Sequence, residues 1–95
     1  MKEDLELYSN PTEVYKDAKK LYGKNVEFDI STRKDKKYMI KNPNTNKWVH
    51  FGQMYYEDFT KHKDVKRMQR FRIRNHKWAN ADRYSPAYMA YHLLW

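Results

Sequence analysis

The chain has 95 residues, enough for one small domain, and no cysteine, which excludes disulfide staples, thiolate nucleophiles and thiolate metal sites. No apolar run approaches the roughly 20 residues of a bilayer span, and the opening Met-Lys-Glu-Asp-Leu-Glu-Leu-Tyr lacks the apolar stretch of a signal peptide. The formal net charge is +8 with 34% charged residues and no low complexity, the composition of a folded basic domain rather than a disordered one.

Asn10-Pro11-Thr12-Glu13 predicts a helix start, with Asn10 as cap, Pro11 at the first helical position and Glu13 as the capping-box acid. Val14, Tyr15, Ala18, Leu21 and Tyr22 then recur at helical spacing, and Gly23 predicts the stop. Val26 to Ile30 alternates apolar and polar, as a half-buried strand does. Lys37 to Lys41 and Lys47 to Phe51 read as two strands joined at Asn42-Pro43-Asn44-Thr45-Asn46, a β-hairpin, with Gly52 breaking the second strand. Tyr55 to Lys63 reads as irregular or a short helical turn. A long helix is expected from Asp64 to Trp78, and Ser85-Pro86 predicts the start of a short, largely apolar helix ending at Trp95. The expected fold is a single α+β domain over 1–95: an N-terminal helix and strand in 1–36, then the hairpin, basic helix and C-terminal helix in 37–95.

Aromatic residues dominate the apolar fraction: nine Tyr, four Phe and three Trp, with few aliphatics. Rings bury much area per residue, so aromatics at hairpin and helix positions, Phe51, Trp78 and Trp95 among them, are expected to build the core. Trp48 is the exception expected to face solvent as a stacking platform.

Charge is distributed unevenly. Between Lys61 and Arg83 lie nine Lys or Arg residues against two acids, so this stretch holds +7 of the total. On a helical wheel Lys63, Lys66, Arg67, Arg70, Arg74 and Lys77 fall within roughly 100° of one another, with no acid among them. Met68, Phe71, Asn75 and Trp78 form the adjoining arc. A one-signed stripe beside an acidic N-terminal third orients the protein toward a polyanion. Arg72 falls near the apolar arc, where a charge needs a partner, and Asp58 is the expected one, with Glu57 or an aromatic face as the fallback.

Three segments carry a resemblance. Tyr38-Met39-Ile40 through Trp48-Val49-His50-Phe51-Gly52, then Tyr56-x-Asp58-x-Thr60-x-His62-x-Asp64-x-x-Arg67, with the ending Leu93-Leu94-Trp95, resembles a family of small basic proteins of large nucleocytoplasmic DNA viruses. The likeness spans residues 37–95 and implies a viral origin, in the virion or the host-cell cytoplasm or nucleus, without naming an activity. The family pattern often has glycine where this chain has Tyr55, which bears on the backbone after Gly52.

His50, Asp58, His62 and Asp64 admit two readings. As chemistry, two carboxylates and two imidazoles suggest a divalent-metal site or a nuclease acid–base pair. Their spacing matches no metal signature, so the expected roles are structural: Thr60 or Asp64 caps the basic helix, Asp58 pairs with Arg72 or Arg67, and His50 and His62 donate hydrogen bonds at the hairpin–helix corner. No catalytic residue, metal or cofactor is assigned. The expected function is non-enzymatic, sequence-independent binding of nucleic acid, DNA in the first place, through Lys63, Lys66, Arg67, Arg70, Arg74 and Lys77, with Trp48. The alternatives are a capsid component or assembly adaptor meeting acidic protein, and third a metal-dependent nuclease.

Overall fold

A computed structural model describes residues 3–95. The protein is a small α+β domain in which helices pack on a three-stranded antiparallel sheet of order β1-β2-β3. A short helix α1 (Leu5–Tyr8), absent from the sequence-based expectation, precedes α2 (Pro11–Tyr22). The Asn10 side chain accepts from the Glu13 amide and Pro11 opens α2, as the capping pattern predicts. Gly23 follows with φ of 104°, a backbone region that favours glycine, although its extended ψ is not that of a left-handed helical cap.

Strand β1 (Phe28–Ile30) is shorter than the alternation predicts, because the Val26 amide is taken by the Gly23 carbonyl in a turn. Strands β2 (Lys36–Asn42) and β3 (Lys47–Gln53) form the hairpin in one register, Tyr38 opposite Phe51 and Asn42 opposite Lys47. Its loop is held by the Asn46 amide on the Asn42 carbonyl at 2.7 Å, and Asn46 takes the left-handed conformation asparagine tolerates.

Gly52 does not end β3: pairing resumes at Gln53 opposite Lys36. The residue is nonetheless tied to glycine twice over. Its φ is 80°, and a Cβ there would meet Leu94 Cδ1 at 2.9 Å and Lys37 Cβ at 3.1 Å. Three residues on, Tyr55 has φ of 72°, a left-handed conformation that favours glycine, as the resembled pattern often has there.

The core joins Val14 and Ala18 of α2, Tyr38, Ile40 and Phe51 of the sheet, and Met89, Leu93 and Leu94 near the C-terminus. Aromatic rings run through it: Phe28 stacks on Tyr38 at 5.4 Å and Tyr38 meets Phe51 at 5.7 Å, while the exposed Tyr15 covers Phe28 from outside at 5.2 Å. The expectation of an aromatic core holds for Tyr38 and Phe51, with Phe28 packed against them. Beyond the sheet come α3 (Phe59–His62), α4 (Val65–Arg74), a 3₁₀ turn (His76–Asn80), and α5 (Pro86–Met89), which continues as a π-helical turn (Ala90–Leu94). The basic helix is therefore shorter than expected. Asn75 stops it by placing both its amide and its side-chain Nδ2 on the Phe71 carbonyl at 3.0 Å, the local competition typical of asparagine. Among the described residues no helix is long and apolar enough to cross a membrane.

A candidate functional site, the cleft beside the basic helix

Asp58 anchors the segment that leads into α4. Its carboxylate accepts from Lys37 Nζ at 3.0 Å and from the Thr60 amide at 3.0 Å, capping α3, and both Lys37 and Asp58 are fully buried. Lys37 Nζ also donates to the Tyr56 carbonyl at 2.5 Å. Burial pulls the ammonium below its ordinary pKa range, and the Asp58 carboxylate works against that pull. The expected pairing of Asp58 with Arg72 or Arg67 is thus corrected: β2 supplies the partner, a lysine whose stem is buried where Gly52 leaves room.

A directed chain of hydroxyls ends on the same carboxylate. Thr60 Oγ1 donates to Asp58 and accepts from the Asn10 amide at 2.9 Å. Its proton is therefore spent, so the Ser9 hydroxyl must donate to Thr60, at 3.2 Å, and it accepts from Tyr38 at 2.6 Å. Every buried hydroxyl in the chain has a defined donor and acceptor sense, and the chain joins the α1–α2 junction, β2 and α3.

The histidines sit elsewhere than expected. His50 Nδ1 pairs with Ser31 Oγ at 2.6 Å, tying β3 to the β1–β2 connection rather than to the hairpin–helix corner. His62 does sit at the corner, but Nδ1 accepts from the Asp64 amide at 2.9 Å instead of donating. That bond puts the proton of the neutral ring on Nε2, which is buried without a hydrogen-bond partner. Desolvation, followed by the nearby Arg67 charge, holds the His62 pKa below its ordinary value. Asp64 caps α4 through the Arg67 amide at 3.2 Å. Among the described residues, no three His, Cys, Asp or Glu side chains gather in a metal-holding group.

Helix α4 has no buried residue and lies along the side of the domain. It is held by Phe71, stacked on Trp95 at 4.5 Å and 10°, and by Arg72, whose Nε donates to the main-chain oxygen of Trp95 at 3.0 Å. The Arg72 guanidinium also lies 5.0 Å from the Tyr91 ring centroid. The aromatic fallback, not Asp58, is the partner of Arg72.

Between α4, the end of β3 with the segment after it, and α5 lies a cleft of about 760 Å³. Arg67, Arg70 and Arg74 line it from the helix. Phe71, Trp78 and Trp95 line it with their rings, and Tyr56 and Glu57 come from the segment after β3. The structure thus divides the basic stripe. Arg67, Arg70 and Arg74 share the cleft with one acid, Glu57, and make no ion pair among the described residues. Lys66 and Lys77 are exposed but do not line the cleft, and Lys77 belongs to the 3₁₀ turn. Lys63 lies before α4 in a left-handed conformation, where it closes α3 and pairs with Glu13 at 2.6 Å. Trp48 is exposed, with Lys41 Nζ 5.9 Å from its ring centroid, and lies outside the cleft. Trp78 and Trp95, read from the sequence as core, are only half-buried and face this cleft. The signal for Trp78 in the sequence was position, since it sits with Phe71 on the wheel directly beside the arginine stripe; Trp95 carried no such signal.

The chain belongs to DUF5754, a family of unknown function, whose sequence model matches residues 26–75. That span covers the whole sheet and α4, and with them the three cleft arginines. No curated protein and no solved structure matches the chain.

Proposed function

We propose that the protein binds nucleic acid without catalysing a reaction, through phosphate contacts made by Arg67, Arg70 and Arg74 and reinforced by Lys66 and Lys77. One observation carries the reading: three arginines at three- and four-residue intervals line one cleft without a carboxylate partner. Like charges so spaced repel by a few tenths of a kcal/mol per pair, and a bound polyanion removes that cost. Arginine forks also match phosphate oxygens geometrically. The viral resemblance would set this binding in the virion or the infected cell. Such binding is sequence-independent, because backbone contacts carry no base information.

Titrating labelled DNA against salt tests it. Each lost phosphate contact lowers the log–log slope by about 0.9 on duplex. Arg70→Glu with Arg74→Glu is expected to keep the fold, since both side chains are exposed, and to flatten the slope by about 2. A folded double variant that binds as tightly as the parent would refute the interface.

An assembly adaptor meeting acidic protein has one observation in its favour: Val65 and Ile73 of the basic helix α4 are exposed apolar side chains. Under that reading Ile73→Ser weakens assembly and leaves DNA affinity unchanged.

A further inference from the structure

We infer that the cleft holds single-stranded nucleic acid, with unpaired bases stacked on Trp78 and Tyr56 while the phosphates lie on Arg67, Arg70 and Arg74. The inference rests on the nucleic-acid reading above and narrows it from any phosphate backbone to a strand whose bases are free.

A duplex needs only a basic surface to ride on, because its bases are hidden and its phosphates stand outward. Here the arginines line a concavity of about 760 Å³ whose other walls include five aromatic residues, of which Phe51 is fully buried. Phe71 and Trp95 are stacked on each other and so form a fixed floor. Trp78 is different. Among the described residues its only ring contact is with Phe71, at 5.7 Å and 75°. In a perpendicular pair, whichever ring presents its edge, at least one indole face is left without a ring against it. Tyr56 has no ring neighbour among the described residues, is 65% exposed, and has its carbonyl fixed by Lys37 Nζ. Two half-free or free rings therefore stand at the walls of a cleft lined by arginine. This pairing of stacking platforms with a cationic track is the arrangement single-strand binders use, and it is tolerant of sequence because every base has a π-face. From Arg67 to Arg74 the helix rises about 10 Å, enough to follow a few successive phosphates.

The test compares three labelled ligands of equal phosphate count on the unmodified protein: a short oligothymidylate, an abasic strand, and a duplex. Oligothymidylate is expected to bind about tenfold or more tightly than the abasic strand, the effect of one or two stacked bases, and more tightly than the duplex. Tyr56→Ala, a change at an exposed ring, should bring oligothymidylate affinity toward the abasic value and leave abasic affinity and salt slope unchanged. Trp78→Ala should do the same provided its circular dichroism matches the parent. Equal affinity for abasic strand and oligothymidylate, or preference for duplex or inorganic polyphosphate, overturns the inference. If Arg70→Glu with Arg74→Glu still weakens binding in that case, the nucleic-acid reading survives. Failure of every strand to bind overturns both.

Discussion

Two residues show how closely the cleft depends on its surroundings. Lys37 is an ammonium with almost no solvent access, and its tolerance rests on one carboxylate and one carbonyl. Replacing it by methionine keeps the stem that packs against Gly52 but strands the Asp58 carboxylate in the interior. Removing one partner of a buried pair costs about 3–5 kcal/mol, so Lys37→Met should lower the melting temperature by about 12 °C or more in a domain of this size. A melting curve like the parent's would show that Asp58 is satisfied by Thr60 alone. Lysine at this point could not be read from the sequence. Lys37 sits in a strand among other lysines, and nothing in its spacing separates a buried ammonium from a solvated one. Gly52 was more legible as a special position than as a strand residue, since only the close approach of Leu94 and Lys37 reveals why a side chain is excluded.

At the scale of elements, α4 is loosely joined to the domain and bears the cleft arginines. It buries no residue fully and is tied down by Phe71 on Trp95 and by Arg72 on Trp95 and Tyr91. Arg72→Ala removes one charged-donor hydrogen bond and one cation–π contact. The expected cost is about 1–3 kcal/mol, the scale of those two terms, and amide exchange should quicken in α4 before it does in the sheet. A uniform rise across the domain would show that the helix is not a separately opening unit. The phase of this helix was legible: its apolar arc does face the domain and Arg72 does need a partner. The identity of that partner was not, because Tyr91 and Trp95 reach Arg72 only through tertiary folding. The helix stop at Asn75 was likewise hidden, since periodicity continues to Trp78 while the asparagine side chain quietly takes the Phe71 carbonyl.

Over the whole molecule, patterning and capping foretold the α+β class, the Asn10 start, the hairpin and the basic helix, because each is specified by residues close in sequence. The cleft was not foretold as a cavity, since it needs Tyr56, α4 and the C-terminal turn brought together. The same closure explains an expected response of stability to pH. Folding holds His62 neutral, through desolvation, the Arg67 charge and the Asp64 amide donated to Nδ1, with the Asp64, Glu57 and Asp58 charges opposing. Its folded pKa therefore lies below the unfolded value of about 6.5. Above that value both states carry a neutral ring and the contribution is fully present. As pH falls from about 6.5 toward the folded pKa, the unfolded chain takes up the proton first and stability declines. Asp64, whose pKa is also held down, chiefly by the Arg67 amide, acts in the same sense but only in the carboxylate range below about 4. The two windows are thus separable. Melting temperatures measured between pH 7 and 5 should fall in the parent, and the fall should shrink in His62→Asn, whose amide oxygen can still accept from Asp64 but does not titrate. An equal decline in both proteins would place the acid sensitivity outside the α3–α4 corner.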